Sequence, residues 1–246
     1  MIDCISVENM RRSDAYTIAN LVPSLELMFR AADGVFHAVD WYGKIAIIAG
    51  SGNNGGDGYA LACILKEKGF DCRVYSLGSH LSADSHHYAE IAQLMGVTIK
   101  PFDLDCSLSG YDYVVDCLLG TGFHGVVRDD YRHAIEKINS SGAYIVSVDI
   151  NSGMNGDTGE SDIAVKSDLT VTIGYVKHGL ITKPAGKCMK KLVCTDIGIA
   201  LAQKENLICS PEEWTQLCCR EAVDAAKTMV TLNGQTYFRS PEWLDV

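Results

Sequence analysis

No apolar run in the 246 residues approaches the roughly 20 needed to cross a bilayer, which excludes a membrane-spanning helix. The opening segment MIDCISVENMRRSD mixes its charges and has no apolar stretch of the kind that marks a secretory signal, so a cytoplasmic location is expected. Positive charge is also scarce. Lys and Arg number 21 against 31 Asp and Glu, for a net charge of -10, and binding of nucleic acid through a general phosphate-neutralising surface is not expected. Among the ten cysteines, Cys188 with Cys194 and Cys218 with Cys219 lie close in sequence. Neither pair has the CxxC spacing that structural zinc sites favour. In a chain of this size without an export signal the thiols read as reduced, mostly small core hydrophobes.

What is present is an ordinary globular composition, 47% hydrophobic and 21% charged, long enough for one sizeable α/β core. Two helical patterns come first: one holds Met10, Tyr16 and Ile18, and the other runs from Ser24, as N-cap, to about Asp40. From Lys44 short apolar runs alternate with amphipathic stretches. The runs are KIAIIAG, CRVYSLG, VTI, YVVDCLLG, YIVSVDI, DLTVTIG and KLVCTDIGI, with helices expected at 58–68, 83–95 and 130–139. Near-continuous apolar strands mean a sheet buried on both faces. The fold class expected is a Rossmann-like, doubly wound, largely parallel sheet in a three-layer α/β/α sandwich with N-terminal helices. Residues 1–204 read as one domain and 205–246 as a helical tail starting near Ser210-Pro211.

Ligands of open α/β sheets bind beyond the carboxyl ends of the strands, and three of those ends are rich in polar residues and glycine. In AGSGNNGGDGYA, Gly50, Gly52 and Gly55 satisfy G-x-G-x-x-G formally, which suggests a dinucleotide dehydrogenase. Asp71 argues against that, because it precedes the second strand where a ribose-binding acid should close it. In VVDCLLGTGFHG, Asp116 lies within an apolar strand, where a carboxylate needs a partner or a cation. The glycines of Gly120-Thr121-Gly122 allow close backbone approach to a ligand. In VSVDINSGMNGDTGE, Asp149 closes a strand ahead of Asn151 and Ser152. Singly, each such Asp reads as a turn or cap residue; three in one sheet point to a site.

The stretches GSGNNGGDG, VDCLLGTGF, SVDINSG with DTG, DLTVTIGYVKHGL and CTDIGI together resemble the YjeF N-terminal domain family of NAD(P)H-hydrate epimerases, in order from Ser6 to Ile199. LMFRAA resembles the family's N-terminal helix motif, with Phe29 where an acidic residue is usual, and Asn151 stands where proline is usual. The resemblance implies interconversion of the R and S forms of hydrated NADH or NADPH, by acid-base catalysis at the hydrated ring carbon. It implies that Asn53, Asn54, Gly55, Gly56 and Asp57, together with Gly120, Thr121, Gly122, Phe123, His124, Gly125 and Val126, hold the substrate. Asp149 is then the substrate-contacting and catalytic carboxylate, and Asn54, Asp116 and Ser152 bind a potassium ion, whose preference for oxygen ligands they suit. Lys177 and His178 are second candidates for contact with phosphate or substrate. A separate NAD(P)H-hydrate dehydratase acting in the same pathway and a homodimeric assembly are also expected. The alternative is a non-catalytic nucleotide-binding or protein-interaction module of the same fold.

Overall fold

The structure is a computed structural model that describes residues 4–78, 80–103, 105–203, 205, 229–232 and 235–238. Strand β1 (Cys4–Ile5) leads into helices α1 (Val7–Asn20) and α2 (Ser24–His37). The alternation then runs β2 (Lys44–Ala49), α3 (Asn53–Glu67), β3 (Asp71–Ser76), α4 (Ala83–Leu94), β4 (Thr98–Pro101), β5 (Tyr113–Cys117), α5 (Asp129–Asn139), β6 (Tyr144–Val148) and β7 (Leu169–Ile173). After it come β8 (Val176–Lys177), β9 (Leu192–Thr195), β10 (Met229–Leu232) and β11 (Gln235–Phe238). Seven strands form one sheet in the order β4-β3-β2-β5-β6-β7-β9, and every pairing in it is parallel. All seven apolar runs became its strands.

The two-residue period of a strand sends alternate side chains to opposite faces. Ile45, Ile47 and Ala49 of β2 join the apolar cluster that holds α2 and α3, while Ala46 and Ile48 join the cluster formed with Tyr131, Ala134, Ile135 and Ile138 of α5. That partition makes the three layers. Strand order reverses between β2 and β5, so the crevice above their carboxyl ends is the topological switch point where ligands of such sheets bind. Asp71 opens β3, paired with Lys44 at the start of β2, at the end of the sheet away from that crevice.

Several boundaries differ from the periodicity. Ser24 is the first residue of α2 and Pro23 its N-cap, with no side-chain cap hydrogen bond. Tyr16 of α1 is exposed, because Met10, Ser13 and Thr17 take the buried face instead. The main correction concerns α3, which begins at Asn53 rather than Gly58. Glycine is a poor helix former, so NNGGDG reads locally as a loop. Packing requires it here: a Cβ on Gly55 would lie 1.9 Å from the carbonyl oxygen of Gly50, and one on Gly50 would lie 2.0 Å from that of Leu118. The helix expected from Ser210 lies outside the described residues. Within the tail, β10 and β11 are described and pair antiparallel, so that part is strand and not helix.

The contact between the β2–α3 turn and the first turn of α3 has a direct check. Gly55→Ala should lower stability by about 1–3 kcal/mol, the usual cost of forcing atoms into a filled site, seen as a lower urea midpoint. An unchanged midpoint would contradict this packing.

Candidate active site

Four segments converge above the switch point: α1, the β2–α3 turn, the exit of β5 and the exit of β6. Between them lies a cleft of about 780 Å³, lined by Ser51 to Asn54 and Asp57, by Leu118 to His124, by Asp149, and by Met10, Arg11, Asp14 and Ile18 of α1.

Asp149 is the only non-glycine residue with positive φ among the described residues, at 68°, a conformation that Asp tolerates better than most side chains. Its backbone is held there by hydrogen bonds from its amide to Val171 O at 2.8 Å and from the Ile150 amide to Val148 O at 2.9 Å. The carboxylate accepts from the Thr121 amide at 3.2 Å and from the ammonium of Lys177. Lys177 is completely buried and also donates to Thr172 Oγ1 at 3.0 Å and to Ile173 O at 2.8 Å. Each proton of the ammonium thus has an acceptor, the condition under which a buried charge is tolerated. Lys177 therefore neither faces solvent nor is free to grip a phosphate; it anchors Asp149.

Behind the cleft, the fully buried Asp116 carboxylate accepts from the Ser152 amide at 3.0 Å, Ser147 Oγ at 2.9 Å and the Leu118 amide at 3.2 Å. It also accepts from the Ser152 hydroxyl, so β5 and the β6 exit are bound together. Burial raises the Asp116 pKa, and the bonds from Ser152, Ser147 and Leu118 oppose that rise. Asn54 is different. Its side-chain nitrogen and oxygen are buried and neither has a hydrogen-bond partner, an unusual state for an amide in a folded protein. Gly120 packs against it: a Cβ there would lie 3.0 Å from Asp149 Oδ2 and 3.4 Å from Asn54 Cγ.

The cleft is polar in two senses. Asp14, Asp57, Asp84 and Asp149 line it together with Arg11, His124 and Arg128. Burial pushes Asp57 well above the usual carboxylate range, with the charges of Asp149 and Asp14 pushing the same way and Lys177 opposing. Arg11 Nη2 donates to Thr121 O at 3.0 Å and meets His124 Nε2, so α1 is latched to the loop after β5.

Residues 24–179 match the family described as YjeF-related protein N-terminus. The chain belongs to that family. A protein of Limosilactobacillus fermentum named NAD(P)H-hydrate epimerase is 35% identical over 199 residues, 78% of this chain and 95% of the relative. Another of that name from Limosilactobacillus reuteri is 40% identical over 192 residues, 74% of this chain and 89% of the relative. A protein of Archaeoglobus fulgidus named bifunctional NAD(P)H-hydrate repair enzyme is 37% identical over 198 residues, 78% of this chain but 38% of the relative. The crystal structure of a yeast protein matches with a TM-score of 0.66 at 19% identity, covering 83% of this chain and 97% of that one, and shares the fold.

Of the residues expected from the family motifs, Asn53, Asn54, Asp57, Gly120, Thr121, Gly122, Phe123, His124, Val126 and Asp149 all line the cleft. Gly55 and Gly56 do not; they pack inside α3 against Gly50 and Met28. Gly125 is outside the lining as well, an exposed turn glycine with φ 83°. Asp116 and Ser152 sit behind the lining, joined to each other. Asp57 is not a helix cap but the fifth residue of α3. His178 points away from the cleft, toward Cys4 O at 3.3 Å and Glu205 at 3.6 Å. Asp14 was missed. Its signal was available, since it falls four residues from both Met10 and Ile18, on the same face of the helix.

Asn151 is fully buried. Its amide nitrogen donates to Cys188 O at 2.8 Å, Val165 O at 3.0 Å and Ser167 Oγ at 3.0 Å, and its oxygen accepts from Thr170 Oγ1 at 2.7 Å. These hydrogen bonds hold the loop after β6.

The anchoring role of Lys177 is testable by a double-mutant cycle. Lys177→Met should cost about 3 kcal/mol, the low end for breaking a buried pair, because Asp149 keeps one edge on the cleft. Adding Asp149→Asn should recover much of that loss in urea melts. Additive losses would mean that the two side chains do not depend on each other.

Proposed function

We infer that this protein interconverts the R and S epimers of hydrated NADH and NADPH, the first step of a repair route whose second step dehydrates one epimer. The observation that carries the reading is the convergence on one cleft of Asn53, Asn54, Asp57, residues 120–124, Val126 and an Asp149 carboxylate anchored from behind. The curated relatives that match most of this chain carry the name of that activity. Among the described residues no helix is long and apolar enough to cross a membrane.

The stereocentre bears a hydroxyl on the carbon next to the ring nitrogen. The nitrogen lone pair expels that hydroxyl once it is protonated, leaving a planar C=N⁺ centre to which water adds from either face. Proton transfer to and from oxygen is therefore the chemistry required, and one positioned acid-base group contributes about 10²–10⁴-fold. Asp149 takes the proton of the incoming water. The glycines at 120 and 122 let the backbone approach the diphosphate closely, and Arg11 supplies positive charge beside that loop.

Asn54, Asp116 and Ser152 are the residues that would hold a potassium ion, and the unpartnered amide of Asn54 fits an oxygen ligand awaiting a cation. When bound, the ion supplies fixed positive charge that ties three loops and favours an anionic substrate. The dehydratase is expected as a partner in the route.

Two measurements follow. Potassium should raise the melting temperature more than an equal concentration of tetramethylammonium, by mass action on the native state, and Asn54→Ala should abolish the difference. Equal curves for the wild type would remove the ion site. Asp149→Asn should fold, keep its potassium response and lose about 10²–10⁴-fold in epimerisation after subtraction of the enzyme-free rate. Near-wild-type turnover in that variant would remove Asp149 from the mechanism.

A further inference from the structure

We propose that Asp14 of α1 is a second catalytic carboxyl of this cleft, the acid that gives its proton to the departing hydroxyl of the hydrated ring. The proposal rests on the epimerase reading above and adds a residue to it. Inversion removes an oxygen from one face of the ring carbon and adds another to the opposite face. Groups reaching the ring from different elements suit that task better than one group alone, and Asp14 and Asp149 come from α1 and from the exit of β6.

Asp14 is half-buried and lines the cleft between Met10 and Ile18 of the same helix face. No hydrogen bond or ion pair to its carboxyl is found among the described residues. The cations around the cleft are otherwise engaged. Lys177 donates to Asp149, Thr172 and Ile173, Arg11 to Thr121, and Arg128 lies over the ring of Tyr131. The charges that act on Asp14 are those of Asp149 and Asp84, opposed by Lys177, and Asp14 in turn acts on Asp57. A partly desolvated carboxyl among like charges favours its neutral form; burial first, and then the charge of Asp149, raises the Asp14 pKa. The position is held rigidly, because the hydroxyls of Ser13 and Thr17, on either side in sequence, accept from the amides of Ala202 and Ala200 at 2.9 Å each. Independently, the buried and unpartnered amide of Asn54 lines the same cleft and marks it as built for a ligand.

In the step, the Asp14 O–H proton passes to the ring hydroxyl and the C–O bond breaks. Its electron pair leaves with water, while the nitrogen lone pair forms C=N⁺. Water then adds to the other face, the C=N π pair returns to nitrogen, and the added water's proton passes to Asp149. Exchange with solvent in the open cleft returns a proton to Asp14 and removes one from Asp149.

The test is epimer-resolved kinetics of wild type, Asp14→Asn and Asp14→Glu, full chain with potassium. An acid must be protonated to act, so wild-type kcat should fall as pH rises through the raised Asp14 pKa. Asp14→Asn should lower kcat about 100-fold or more, leave KM within a few-fold and lose that alkaline fall, while Asp14→Glu should recover part of kcat. A folded Asp14→Asn protein with near-wild-type kcat and an unchanged pH profile would overturn the proposal, as would a change confined to KM. If Asp14→Asn fails to fold, Asp14→Glu decides: a displaced alkaline limb supports the role and a superimposed one overturns it. A wild type that binds the hydrated nucleotide without accelerating its interconversion would instead overturn the epimerase reading, and this proposal with it.

Discussion

A buried ammonium governs the carboxyl end of this sheet. Lys177 lies where no water can solvate it, so its three protons must find acceptors, and Asp149, Thr172 and Ile173 provide them. Meeting that demand draws the β6 exit toward β7 and β8 and supports Asp149 at positive φ, with its second oxygen on the Thr121 amide. The loop after β5 is thereby joined to the loop after β6. Strand β8 itself is placed by β1, through the pairing of Ile5 with Lys177, so the first residues of the chain help set the geometry of a carboxylate near its middle.

A second buried charge, Asp116, works differently. It has no cationic partner among the described residues and is met by two hydroxyls and two amides, a network that stiffens the strand ends. Asn54 sits on the cleft side with its amide unsatisfied. The contrast separates the two kinds of polar residue here: Ser147 and Asn151 are taken up by the structure, while Asn54, Asp14 and Asp57 are left for something that enters.

The central strands were legible because they are continuous apolar runs buried on both faces, unlike edge strand β4, and the strand-end aspartates were legible because a carboxylate in such a run needs a reason. The start of α3 was not. NNGGDG has low helix propensity, and only the approach of Gly50 and Leu118 explains why a helix forms there. Lys177 was misjudged because its partner is 28 residues away and the strand that buries it has two residues, too few to show a period. Asp14 interrupts an apolar helical stripe between Met10 and Ile18, a signal that local periodicity contains but that acquires meaning only when α1 is seen to wall the cleft.

The switch-point cleft should hold the hydrated ring against Asp149. This is tested most directly by a crystal structure of the wild-type protein with hydrated NADH bound. The hydroxylated ring carbon should lie within hydrogen-bond reach of Asp149, and the diphosphate on the backbone of residues 120–126. A nucleotide bound outside the cleft, or one whose adenine end occupies the Asp149 side, would contradict this placement.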